Sequence, residues 1–263
     1  VQILSSNLVQ NGDFSEEGAE EVSNGSFSQE GVEEVTNGDF ATDSDWIKAT
    51  GWSISGGKAN FNGTSNSNLQ QNNVTEQNKI YKVSFEVSDY VSGTVQVIIG
   101  DNLAGEDFTF SSNGVFVFYT TADSGTTQIV RFRPTTSAEF SIDNVSVREV
   151  GQDWTLLNAE LTDNAVIIGQ ADGSISQFGQ LGITTIGKQY KLSYDVLEDN
   201  GGAFNLASPS TALVTTLGSH TVYFEANSAD LFIKRASSST TTKTTFTNIS
   251  VKEVGMDWEF NST

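Results

Sequence analysis

Hydrophobic and polar residues alternate in short runs along most of the chain, the period-two pattern of half-buried β-strands. Val83, Phe85 and Val87 make one run and Val95, Val97 and Ile99 another, and Phe116 with Phe118, Ile129 with Phe132, and Val145 with Val147 extend the series. Leu192, Tyr194 and Val196, then Leu231 and Ile233, repeat the style further on. Turn-forming spacers such as Ser55-Gly-Gly57, Asp123-Ser-Gly125 and Asp199-Asn-Gly-Gly202 separate the runs. No stretch carries a helical pattern. Many short strands at this spacing predict an all-β fold: tandem antiparallel sandwiches of jelly-roll type, preceded by short β-strand repeats.

Two kinds of repeat organise the pattern. At the front, Val9-Gln-Asn-Gly-Asp-Phe14, Val22-Ser-Asn-Gly-Ser-Phe27 and Val35-Thr-Asn-Gly-Asp-Phe40 recur every 13 residues, each reading V-x-N-G-[DS]-F. Ser15–Glu21 and Ser28–Glu34 also match each other, as S-[EQ]-E-G-[AV]-E-E. Asn-Gly favours a two-residue hairpin that would make Val and Phe cross-strand neighbours. The alternative is one extended strand in which Gly marks a bulge or a close approach. Either unit is too small to cover its own apolar face and must pack on something else.

The second repeat is longer. Asp45-Trp46 opens a body that contains Tyr81-Lys-Val-Ser-Phe-Glu-Val87 and closes with Asn144-Val-Ser-Val-Arg-Glu-Val150. Asp153-Trp154 opens another, containing Tyr190-Lys-Leu-Ser-Tyr-Asp-Val196 and closing with Asn248-Ile-Ser-Val-Lys-Glu-Val254. Gly255-Met-Asp-Trp258 then matches Gly151-Gln-Asp-Trp154, as the stub of a third module. The expected division is a strand-repeat segment at 1–34, sandwich modules at 35–150 and 151–254, and a stub at 255–263.

Composition sharpens this picture. The formal charge of −20 would repel phosphate backbones and anionic headgroups, which argues against nucleic-acid and membrane partners. Eleven acidic residues fall between Asp13 and Asp45, with no Lys or Arg before Lys48. That opening segment repels itself unless a cation or a partner offsets it. With no cysteine there is no disulfide framework, thiolate nucleophile or Cys-based metal site. No apolar run approaches transmembrane length, and the Val1 start fits a processed precursor or a fragment, so an extracellular location is expected.

The opening N-G-D-F, a D-W or G-W pair, Y-K-[VL]-S-[FY] and the closing S-V strand resemble jelly-roll carbohydrate-binding modules that begin with an N-G-x-F strand. They resemble equally the tandem modules of bacterial surface proteins and bacteriophage structural proteins. That resemblance implies a possible structural calcium between first and last strands, with Asn37, Asp39 and Asp143 at the matching positions. In the second module the closing position reads Asn248. It also implies a polysaccharide as a possible partner. Stacking a pyranose needs an exposed aromatic beside amides and hydroxyls, which nominates Trp52, Tyr81, Tyr90 and Tyr119 with Gln70, Gln71 and Asn73. Counting from the Asp-Trp pairs puts Glu160 where the first module has Trp52. Trp46, Trp154 and Trp258 recur at module boundaries and read as core or seam residues.

Nothing marks a catalytic centre, and no enzyme activity is expected. One histidine, His220, and no cysteine leave Ser-His-Asp catalysis and a typical zinc site without their ingredients. Assembly is the alternative the repeats suggest. Three N-G-x-F copies stand before the first body and none directly before the second, so one sandwich has surplus strands and the other a vacancy. Val9, Phe14, Val22, Phe27, Val35 and Phe40 are the expected assembly residues. Strand addition to a neighbouring subunit would build a fibre or virion appendage, a homo-oligomer formed by donor-strand exchange. Val145–Val150 running on to serve the second module, or copies left solvent-exposed, would explain the same count.

Overall fold

The computed structural model describes residues 15–63, 67–100, 108–122, 128–134, 137–169, 174–236 and 243–256. Every regular element among them is a β-strand, and all ladders are antiparallel, so the all-β sandwich expectation holds.

The chain divides into two compact units in an order that the repeats alone do not announce. One unit comprises Glu30–Gln152; the other combines Val1–Gln29 with Asp153–Thr263. The first is therefore inserted into the second, and the two are called here the inserted unit and the host unit. This corrects the division at 1–34, 35–150 and 151–254. The N-terminal repeats are not a segment of their own, because each short acidic strand completes its ladder only on the closing strand of a different body.

The first described strand of the host unit is β1 (Glu17–Glu20). The inserted unit follows, with β2 (Glu30–Glu33), β3 (Ile47–Lys48), β4 (Trp52–Ser55), β5 (Lys58–Gly63), β6 (Leu69–Asn72), β7 (Ile80–Ser92), β8 (Val95–Ile99), β9 (Phe108–Phe110), β10 (Gly114–Thr121), β11 (Ile129–Pro134) and β12 (Ala138–Val150). One of its sheets runs β10-β7-β12-β5-β4 with β2 added on β12, and the other runs β3-β6-β11-β8-β9. The chain then returns to the host unit through β13 (Thr155–Leu157), β14 (Ala159–Thr162), β15 (Ala165–Ile168), β16 (Gln177–Gln180), β17 (Gln189–Asp199), β18 (Phe204–Leu206), β19 (Gly218–Glu225), β20 (Leu231–Arg235) and β21 (Thr244–Val254). Here the sheets run β14-β15-β21-β17-β19, with β1 on β21, and β13-β16-β20-β18.

Alternation produces the cores as expected. Val83, Phe85 and Val87 of β7 face inward, as do Leu192, Tyr194 and Val196 of β17. The Ser55-Gly-Gly57 spacer is the β4–β5 hairpin turn, with positive φ at Gly56 and Gly57 where a side chain would strain the backbone. Strand register corrects one alignment. Trp52 pairs with Phe61 and Ala159 with Ile168 at equivalent places, so Ala159, not Glu160, stands where the inserted unit has Trp52.

The closing strands β12 and β21 organise both sandwiches. Each lies along one long partner, β7 or β17, and divides its other edge between two short ones. Ala138–Ile142 pairs with β5, and beyond it Arg148 and Val150 pair with β2. In the host unit β15 takes Thr244–Phe246 while Lys252 and Val254 pair with β1. Between the halves sits an Asn with positive φ, Asn144 or Asn248, a conformation Asn tolerates. Beside Asn144 the β7–β12 ladder shifts register, the mark of a bulge. The closing N-[VI]-S-V motif thus builds a break in the ladder rather than a plain strand.

Candidate functional site

At each break an N-G-x-F turn is docked. Asn24 to Phe27 and Asn37 to Phe40 are each closed by a backbone bond from the Phe N–H to the Asn carbonyl, at 3.0 Å and 3.2 Å. Both Asn and Phe have positive φ. This corrects the hairpin expectation: Phe27 and Phe40 close the turns, Val22 and Val35 lie just ahead of them, and the strands are the preceding E-G-x-E segments. All four apolar side chains are nevertheless buried. Val9 and Phe14 fall outside the described residues.

The glycine serves close approach. A Cβ on Gly25 would stand 1.9 Å from the Ile249 carbonyl oxygen, and one on Gly38 2.0 Å from that of Val145. The Gly25 and Gly38 carbonyls in turn accept the N–H of Ile249 and Val145, each at 2.9 Å. The bulge therefore turns its free N–H toward the turn, and only a residue without a side chain lets the two backbones meet.

Four further contacts are duplicated in the two seats. Trp46 Nε1 donates to the Asn37 carbonyl and Trp154 Nε1 to the Asn24 carbonyl, both at 3.0 Å. Their rings lie against the docked phenylalanines, Phe40 with Trp46 at 5.1 Å between centroids and Phe27 with Trp154 at 4.7 Å. Gln71 receives the Thr36 N–H and donates to its carbonyl, and Gln180 does the same for Ser23. Glu33 Oε1 accepts the N–H groups of Val147 and Val35 while its Oε2 accepts the Ser146 hydroxyl; Glu20 treats Val251, Val22 and Ser250 likewise.

The acidity of the opening segment is offset by cations of the bodies. Glu30 meets Lys82 at 2.7 Å, and Glu33 meets Arg148 at 3.3 Å. Glu17 bridges Lys191 and Lys252, whose ammonium groups hold its carboxyl below the usual range. Glu34 shifts the other way. Partial burial and the neighbouring Glu149, Glu76 and Glu33 push its carboxyl up.

One difference between the seats follows from the insertion. In the inserted unit the Asn37 amide donates to the carbonyls of Thr42 and Ser44, in the four-residue link from Phe40 to Asp45, and its oxygen accepts the Thr42 N–H. In the host unit residues 28–152 stand in place of that link; the Asn24 side-chain oxygen still accepts the Gln29 N–H, at 3.0 Å, but its amide finds no such carbonyls. Asn24 Nδ2 is buried and makes no hydrogen bond.

The expected sugar platform is not assembled. Trp52 is buried with Nε1 bonded to the Ser67 carbonyl, and its ring packs on Phe61 and Phe140. Tyr81 is 1% exposed; its hydroxyl accepts the Glu76 N–H, and burial pushes its pKa up to about 12. Tyr190 holds Thr185 in the same way, so the Y-K-x-S tyrosine is a core residue that ties down a loop. Tyr90 is half-buried and bonded to the Gly93 carbonyl. Gln71 belongs to the seat, Gln70 accepts from Arg131, Tyr119 is half-buried on β10, and Asn73 sits exposed in a turn. These residues do not share one surface cluster, because alternation sends Trp52, Tyr81 and Gln71 inward.

The proposed calcium oxygens have local partners. The Asn37 side chain holds its link, Asp39 accepts the Ala41 N–H, and Asp143 accepts the Asn144 N–H. Among the described residues no group of three His, Cys, Asp or Glu side chains could hold a metal ion. His220 is half-buried on β19, with Nε2 against the Thr216 carbonyl. The seats themselves were only partly legible beforehand. Trp46, Trp154 and the N-G-x-F copies were visible as repeats, whereas Gln71/Gln180 and Glu20/Glu33 could have been found only by aligning both bodies and both acidic segments.

No protein-family model and no curated protein matches the chain. Among solved structures it is similar to the N-terminal CBM22-1–CBM22-2 tandem domain of Xyn10C from Paenibacillus barcinonensis, at 10% identity over 86% of this chain and 98% of that one, with a TM-score of 0.38. It is also similar to the tandem CBM51 modules of a family 98 glycoside hydrolase from Streptococcus pneumoniae, at 8% identity over 90% and 96%, with a TM-score of 0.26. An archaeal virus protein with a triple jelly-roll fold matches at 12% identity over 81% of this chain and 60% of that one, TM-score 0.26. These are likenesses of β-sandwich architecture.

Proposed function

We propose that the protein is a non-enzymatic, extracellular structural or adhesive protein, part of a surface fibre or virion appendage, built by docking N-terminal cassettes onto sandwich bodies. The observation that carries this reading is the duplication of the seat. The same Gly, Trp, Gln and Glu contacts recur in both units, so the most repeated residues of the chain serve to join strand to body. The vacancy inferred from sequence is filled from within the chain, by Val22–Phe27. The donor left for a neighbouring subunit is Val9–Phe14. Self-association through that copy is tested by light scattering on the intact protein and on a form lacking residues 1–14. A larger particle that falls to single-chain mass on deletion is the expected result. Single-chain mass in both forms, 28.3 kDa for the intact one, overturns it.

A second reading, polysaccharide binding, rests on a different surface. On the outer face of the β13-β16-β20-β18 sheet, Phe232 lies over Gly179, where an added Cβ would come within 2.5 Å of the ring. Lys234, Gln177 and Asn205 flank it in the same ladder. A half-exposed ring beside an ammonium group and two amides can stack a pyranose and bond its hydroxyls. Retention of a monomer on a polysaccharide gel, lost in Phe232→Ala, would favour this reading.

A further inference from the structure

We propose that the edge strand β10 is a self-pairing surface, which joins antiparallel to β10 of a second copy about a two-fold axis. This contact is separate from the cassettes, since it lies in the body of the inserted unit and uses none of the N-terminal repeats.

Among the described residues β10 ends the order of its sheet, so alternate residues turn their N–H and carbonyl groups away from β7. Natural edges of this kind are blunted by charge, proline or a bulge. β10 has none of these. Gly114–Thr121 reads G-V-F-V-F-Y-T-T, and its ladder to β7 runs through eight successive pairs without a shift. The outward positions are apolar as well: Val115 and Val117 are 71% and 53% exposed, and Tyr119 stands next on the same face. On the inward side Phe116 packs on Phe110 and Phe118 on Phe108, which holds the strand in place.

The host unit supplies the comparison. β19 is the equivalent edge, because Gly218 pairs with Val196 of β17 as Gly114 pairs with Val87 of β7. At the positions of Val115, Val117 and Thr121 it carries Ser219, Thr221 and Glu225. The same place in the same sandwich is thus polar and charged in one unit and neither in the other, so the fold itself does not demand the valines. Charge decides the occupant. Two chains of formal charge −20 repel wherever their carboxylates face each other, and a basic partner would find no carboxylate on β10 to recognise. An uncharged edge is where two such copies can meet. Centring the axis on Val117 sets it against its own counterpart and Val115 against the partner's Tyr119, an aliphatic and aromatic ladder. One strand pair is small beside the roughly 1,200–2,000 Å² of a stable interface, so it adds to other contacts and forms by itself only at high concentration.

The chain has no cysteine, so a single introduced thiol reports the contact. In the concentrated intact protein under mild oxidation, Val117→Cys should form an interchain disulfide roughly tenfold faster than Thr221→Cys, because opposed Cα atoms of an antiparallel pair lie about 5 Å apart, within disulfide reach. Both positions are exposed, so neither substitution disturbs a core. Val115→Cys should link slowly, since the axis carries it away from its own counterpart. Adding Val115→Lys to Val117→Cys should bring the rate down to that of Thr221→Cys. Equal rates at positions 115, 117 and 221, or a rate that the lysine leaves unchanged, overturns the pairing. The Val117→Cys linkage should survive removal of residues 1–14, and its loss on that deletion overturns a contact separate from the cassettes.

Discussion

Replacing Gly38 by alanine tests the docking geometry most directly. The new Cβ would stand 2.0 Å from the Val145 carbonyl oxygen, a backbone atom of β12 held by its ladder to β7. Neither side yields cheaply, so the cassette must lift. If it shifts only enough to relieve the clash, overpacking costs about 1–3 kcal/mol. If it leaves, burial of the Phe40 ring is lost, roughly 1.5–3 kcal/mol, together with the bond from the Val145 N–H to Gly38, about 1 kcal/mol. A loss of about 3 kcal/mol is the expected value between these limits. At roughly 4 °C per kcal/mol for a unit of this size, the inserted unit should melt about 10 °C lower. Scanning calorimetry separates two units that unfold independently. Gly25→Ala should move the host-unit transition by a similar amount, since its Cβ would lie 1.9 Å from Ile249. Gly31→Ala should do less, because its nearest neighbour is the flexible Gln152 amide. A shift under about 1 kcal/mol for Gly38→Ala, or one that appears in the host-unit transition, would refute the docking argument.

The remaining predictions concern the same interface. Gln71→Ala leaves the Thr36 N–H and carbonyl without partners and should cost the inserted unit about 2 kcal/mol in urea unfolding, with Gln180→Ala acting on the host unit. Removing residues 1–14 should leave both transitions in place, whereas removing 1–34 takes β1, Val22, Phe27 and β2 and should abolish or merge them. Replacing residues 28–152 by the link Ala41-Thr-Asp-Ser44 should yield a host unit that folds alone, checked by circular dichroism and calorimetry. Glu17 and Glu34 respond to pH with opposite sign. The carboxyl of Glu17 is lowered by Lys191 and Lys252, so its contribution is present above the ordinary carboxylate range and is lost as pH falls through the folded value below 4.5. Glu34 is raised, so its charged form penalises the inserted unit above that range. Glu34→Gln should therefore stabilise this unit at pH 7, by under about 1 kcal/mol, with the gain vanishing below pH 4.5 where Glu34 is already protonated.

The sequence by itself determined the fold class, the two bodies and the docking cassettes as units. Period-two alternation at Val83, Phe85 and Val87 or Leu192, Tyr194 and Val196 is local, and a one-residue slip would expose the whole set, so the pattern dictates which face is buried. The recurrence of Trp46 and Trp154 likewise marked them as core residues, and both are buried. Which cassette serves which body was decided only in three dimensions. A ladder between Glu17 and Val254 joins residues far apart in the chain through main-chain bonds that carry no residue identity. Nearly identical copies therefore bear no readable label, and the nested order emerges only when each turn is seen against its bulge. The sugar platform was misplaced for a local reason instead: Tyr81 is in phase with Val83, Phe85 and Val87, and Trp52 with Ile54, so the alternation itself turns both rings into the core.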